Sequence, residues 1–93
     1  MSALRRDTLW KRVNHGLLLL TRTPRARVRL AALAACGALF EEAREEALVL
    51  LPETLPFLSE ALADDDARVA AAAHALVKQL EVVSGEDLQT YLS

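Results

Sequence analysis

Few side chains in this 93-residue sequence have the types and spacing that chemistry requires. Its two histidines, His15 and His74, have no Cys, Asp or Glu beside them at metal-ligand spacing, so helix-surface or groove positions suit them better than a metal or acid–base role. Cys36 is the only cysteine, which excludes an internal disulfide framework and a multi-cysteine zinc site. A nucleophilic thiol needs an activating base and a depressed pKa, and Cys36 stands in an alanine-rich stretch that supplies neither. Asp64-Asp65-Asp66 lacks the spaced ligands and terminal Glu of a calcium loop; capping of the following helix explains it better. Gly16, Gly37 and Gly85 are isolated, so there is no glycine-rich phosphate loop. The sequence therefore leads to no enzyme, no catalytic residue, no metal, no cofactor and no small-molecule substrate.

Charge is the more informative signal. Residues 1–30 hold eight basic side chains against one acid, and residues 31–93 hold three against twelve, so a net charge of −2 conceals a strong dipole along the chain. Arg22, Arg25, Arg27 and Arg29 bracket one turn. Phosphate contact with RNA, or contact with an acidic protein, is what such a cluster offers, although no aromatic residues are interleaved to stack bases. Arg22, Arg25 and Arg27 are the candidates for outward contact. Glu41, Glu42, Glu45 and Glu46 cluster around a second turn, as a solvated surface or a contact for a basic partner.

The elements that must position these groups are helical. Leu and Ala supply 36 residues and there is no Ile, a balance that favours helix over strand. The apolar runs, Leu17 to Leu20 among them, are far too short to cross a membrane, and the first residues lack a signal peptide's apolar core; a soluble helical unit with no membrane partner is expected. Thr8 can cap a first helix over 8–21, with Leu9, Val13, Leu17 and Leu20 inward and Trp10 beside them. Thr23 and Pro24 are suited to start a second over 24–42, with Val28, Ala31, Ala32, Ala35 and Leu39 as its stripe. A short helix should run to about Leu50 and break at Pro52. A further helix over 52–63 should carry Leu55, Leu58 and Leu62 on one face. The next, over 66–83, buries Val69, Ala73, Leu76, Val77 and Leu80. Ser84 with Asp87 resembles a capping box for a final helix carrying Leu88, Tyr91 and Leu92.

Ala26-Arg27-Val28 and Ala67-Arg68-Val69 repeat at an offset of 41, and at that offset Leu39 meets Leu80 and Leu17 meets Leu58. A period near forty with two helices per unit lies in the HEAT and armadillo range. The expected fold is all-α, an α-solenoid of antiparallel HEAT-type helix pairs. Residues 1–93 form one module, with repeats at 8–42 and 44–83 and a capping helix at 85–92. Solenoids usually need about three repeats, so this chain reads as the C-terminal end of a longer array. Its first helix should then present an apolar end face, Leu4, Leu9, Trp10 and Val13, that favours dimerisation or aggregation. Phe40, Phe57 and Tyr91 read as packing residues.

In HEAT-like arrays an Arg just after the Val of the inner helix pairs with an Asp from a neighbouring repeat's turn. Arg29 and Asp64 hold those positions, whereas Thr23 and Ala70 replace their partners within each unit, which implies a cross-repeat Arg29–Asp64 pair. A more specific resemblance covers nearly the whole chain. Leu9-Trp10-Lys11, Asn14, Val28-Arg29, Ala31-Ala32-Leu33, Leu50-Leu51-Pro52-Glu53 and Pro56-Phe57-Leu58 fall in order. Gln79-Leu80-Glu81 and Gly85-Glu86-Asp87-Leu88-Gln89-Thr90-Tyr91-Leu92 complete it. Together they resemble the extreme C-terminus of the family of large nucleolar HEAT-repeat proteins of the U3 small-subunit processome. The resemblance implies a nuclear, nucleolar scaffold in ribosomal RNA transcription and pre-18S processing. Its partners would be other processome proteins, with pre-rRNA or U3 small nucleolar RNA as further candidates. A generic HEAT adaptor would share the fold without the Gly85–Leu92 segment.

Overall fold

The structure, a computed structural model, describes residues 3–92, with side chains from Thr8 onward. Five α-helices and one 3-10 helix follow in order: α1 (Ala3–Leu20), α2 (Ala26–Ala43), a 3-10 helix (Arg44–Leu50), α3 (Leu51–Leu62), α4 (Ala67–Ser84) and α5 (Gln89–Leu92). No strand occurs among the described residues. α1 packs on α2, α3 on α4, and α2 on α4, so α2 and α4 lie side by side as the inner layer, with α1 and α3 joined to them on the outside. This is the stacked arrangement of two antiparallel helix pairs, an all-α solenoid fragment.

The core takes Leu18 from α1, then Leu33, Cys36, Leu39 and Phe40 from α2. Ala47 and Leu50 of the 3-10 helix, Leu58 of α3 and the α4 stripe complete it. On α4, Val69, Ala73, Leu76, Val77 and Leu80 are all buried, as their spacing requires. The break expected before Pro52 is a change of helix type. The 3-10 turn ends at Leu50, and α3 starts with Pro52 in its first turn, where a missing N–H leaves no bond unmade. Within α3 the buried residues are Thr54, Leu58 and Ala61, while Leu55 and Leu62 are half-buried.

Several local expectations need correction. The described part of α1 runs from Ala3, and Ala3 to Arg6 are good helix formers with no breaker among them, so Thr8 lies inside the helix rather than at its N-cap. The inward face of α1 is rotated from the expected one: Asn14 and Leu18 are buried and Trp10 and Leu17 half-buried, while Leu9, Val13 and Leu20 are exposed. The cause is Asn14, a polar residue that finds partners inside. Leu9 and Val13 do form an uncovered apolar strip, but Trp10 turns inward; the side chain of Leu4 lies outside the described residues. α2 starts at Ala26 with Arg25 as its N-cap residue, and the Thr23 hydroxyl instead donates to the Leu20 carbonyl at 3.0 Å, closing the end of α1. Ala31 is exposed, and Leu33, Cys36 and Phe40 join the buried stripe. Ser84 ends α4 rather than capping a new helix. Gly85, at φ 73°, closes α4 in the left-handed conformation that glycine adopts without penalty. The capping helix is therefore shorter than 85–92, a single turn from Gln89 opened by Asp87, whose carboxylate accepts the Gln89 N–H at 2.9 Å. Leu88 beneath that turn is buried, while Tyr91 is largely exposed because no element covers it.

Candidate functional site

The turn after α1 (21–25) and the turn after α3 (63–66) stand next to each other, joined by Arg29. Arg29 leaves the first turns of α2 and donates from Nε to Asp64 Oδ2 at 2.8 Å and from Nη2 to Asp64 Oδ1 at 3.0 Å, a bidentate pair. Its Nη1 reaches back to the carbonyls of Thr23 (3.0 Å) and Pro24 (2.9 Å). Both side chains are mostly shielded, at 17% and 11% exposure, so water competes weakly. Asp64 Oδ1 also accepts the Asp66 N–H at 2.9 Å. The Arg29 guanidinium, then that N–H, hold the Asp64 carboxyl below the usual carboxylate range. Asp66 accepts the Arg68 N–H at 2.8 Å as N-cap of α4, and the Arg68 side chain folds back onto it. Those contacts, the side chain first, bring Asp66 down to about 2. The aspartate run thus has two structural duties, bridging and capping. No group of three metal-ligating side chains occurs among the described residues.

Of the arginines expected to face outward, Arg22 is engaged. It pairs with Glu60 at 2.8 Å and lies 4.1 Å from the centre of the Phe57 ring. Arg25 and Arg27 are exposed and make no ion pair among the described residues. They flank the start of α2, and their charge is available to a partner. Cys36 is fully buried, and burial pushes its thiol up to about 11, which suppresses the nucleophilic thiolate. His15 is half-exposed beside Glu53, at 3.4 Å, and His74 is exposed on α4.

Three polar cross-links had no role in the sequence reading. Asn14, fully buried, donates to Thr54 Oγ1 at 3.0 Å and Glu53 Oε1 at 3.3 Å, tying α1 to α3, and Thr54 donates on to the Leu50 carbonyl. Trp10 Nε1 donates to Glu46 at 2.9 Å, so one member of the acidic turn is a structural acceptor. Gln79 donates to the Gly37 carbonyl at 2.7 Å, joining α4 to α2. The only advance signal was a polar residue sharing a helix face with apolar ones, as Asn14 does with Trp10, Leu17 and Leu18.

The arrangement of exposed arginines, inter-turn pair and buried polar ties is one of packing and surface charge, and sequence comparison gives it a lineage. No protein-family model matches the chain. Human HEAT repeat-containing protein 1 is 44% identical over 89 residues, covering 96% of this chain. The Drosophila melanogaster homolog is 41% identical over 86 residues, covering 92%. The chain belongs to the HEAT repeat-containing protein 1 family. U3 small nucleolar RNA-associated protein 10 of Aspergillus fumigatus is 48% identical over 65 residues, 70% of the chain. The chain spans about 4% of the length of each of these relatives.

Proposed function

We propose that this chain is a non-enzymatic scaffold module of ribosome biogenesis, forming the C-terminal cap of a nucleolar HEAT-repeat solenoid. It would act in rRNA transcription and pre-18S processing within the small-subunit processome. The similarity along 96% of the chain to HEAT repeat-containing protein 1 carries this reading. The name of the Aspergillus relative adds the association with U3 small nucleolar RNA. Residues 8–42 and 44–83 would be the two repeats, and residues 85–92 would cover the far end of the second. The partners would be other processome proteins. Affinity purification of the full-length parent, with and without this segment, tests the proposal: loss of U3 RNA and processome proteins on deletion supports it, and an unchanged set of bound molecules overturns it.

A second reading, direct contact with pre-rRNA or U3 RNA, is favoured by the exposed charges of Arg25 and Arg27, which make no ion pair among the described residues, with Arg22 in the same turn. Phosphate contacts are salt-dependent. Binding of a single-stranded RNA to the protein should weaken as salt rises, and Arg25→Glu with Arg27→Glu should abolish it. Absence of binding at low salt, or binding that survives both substitutions, removes this reading and leaves a protein-only scaffold.

A further inference from the structure

We propose that a groove on the outer side of α3 is a docking site for a basic amphipathic helix of a partner protein. The groove has a volume of about 880 Å³ and runs between α3 and the α5 turn. Leu48, Leu51, Leu55 and Ser59 line one wall. The four-residue spacing of Leu51, Leu55 and Ser59 places them on one face of α3, and Leu48 extends that line into the 3-10 turn, a ridge of about 18 Å. Leu88 and Tyr91 form the opposite side, and the rings of Pro52 and Pro56 add rigid apolar surface. Leu48 at 37% exposure and Tyr91 at 64% leave large apolar surface uncovered, which on a water-facing wall marks a contact site. A leucine ridge facing a second helical wall suits an inserted helix with apolar side chains at i, i+3 or i+4, and i+7.

Charge selects the occupant. The one charged residue lining the groove is Glu86. Asp87 follows it, and Glu45 precedes Leu48 by one 3-10 turn, on the same side of that helix. Every charged residue from 45 to 66 is acidic. A nucleic acid is repelled by such a wall, and an acidic helix likewise; an apolar helix flanked by Lys or Arg gains on both counts. The site is separate from the arginine turn and stands whether or not that turn meets RNA. The α1 strip of a second copy, Leu9, Val13 and Leu20 with Arg12 beside them, has related chemistry, and the test distinguishes it.

The probe is a synthetic Leu/Lys amphipathic peptide of about 16 residues, long enough to match the ridge. It is titrated into the ¹⁵N-labelled protein alongside a Leu/Glu peptide of the same apolar pattern and a Lys/Ser peptide of the same charge. The Leu/Lys peptide should shift the amides of Leu48, Leu55, Ser59 and Tyr91 and bind about tenfold tighter than either control, because only it satisfies both apolar burial and charge. Leu48→Lys and Tyr91→Ala change exposed residues, so the helical circular dichroism should persist while binding weakens about threefold or more. Leu9→Lys should leave binding unchanged. No binding, equal binding of the Lys/Ser peptide, or shifts confined to α1 would overturn the proposal. So would a wild-type dimer in sedimentation that Leu48→Lys disperses, since that assigns the groove to a second copy.

Discussion

α2 and α4 are the same helix twice, built with opposite local provisions. Each has 18 residues, and their starts, Ala26 and Ala67, differ by the repeat offset, as do the residues that close them, Arg44 and Gly85. α4 is locally complete: Asp66 caps its first turn and Gly85 its last. α2 has neither device. Arg25 at its N-cap makes no side-chain cap, and Arg44 at its end is forced to φ 52°, a region in which a side chain is strained. Its entry is secured from outside, through Arg29 and the carboxylate of the neighbouring turn. One repeat brings its own helix signals, whereas the other is completed by tertiary contact.

The largest effect should come from the core. Leu80→Ala removes a fully buried side chain and should cost about 3 kcal/mol, whereas Leu39→Ala at the equivalent position, at 8% exposure, should cost about 2 kcal/mol. Urea denaturation followed by circular dichroism measures both, and equal losses would mean that the two inner helices are equally well seated. Smaller and of opposite sign are the helix ends. Arg44→Gly should stabilise by about 1 kcal/mol by relieving the strained backbone, and Gly85→Ala should destabilise by a similar amount. Matching signs would remove the asymmetry.

The smallest effect is in acid. Asp66 in the folded chain titrates at about 2 against an ordinary 3.8. A depressed carboxylate adds stability that is complete above the unfolded value and disappears as pH falls through the folded one. Stability should therefore decline between about pH 4 and 2, and Asp66→Asn should flatten that decline. A slope that survives the substitution would transfer the effect to Asp64, whose carboxyl is also lowered.

How much was legible follows the same division. The α4 stripe could be read residue by residue because apolar period and the aspartate N-cap agree, whereas the role of Gly85 in closing the helix was missed because Ser84 and Asp87 looked like the start of another. The entry of α2 was misplaced by two residues because Thr23 looked like a cap and Arg25 did not. The face of α1 was misjudged because periodicity counts Asn14 as outward, while the fold supplies it with Thr54 and Glu53. At the site, the Arg29–Asp64 pair was an expectation carried by the resemblance to HEAT-like arrays, and the engagement of Arg22 by Phe57 and Glu60 needed the packing of α3. The groove was invisible because its walls come from residues 48–59 and 84–91, which no local window joins.

The Gln79–Gly37 bond bears on how the inner helices keep their register. Small residues line their contact, with Ala32 and Ala73 buried and Gly37 so close that a Cβ there would lie 3.1 Å from Gln79 Oε1. The leucines beside them, Leu33 and Leu76, already resist by shape a slide of one helix past the other by a turn, about 5.4 Å. The polar links do not tolerate that slip. Gln79 would lose the Gly37 carbonyl and Arg29 would lose Asp64, two widely spaced pins that add directional bonds to a fit set by shape.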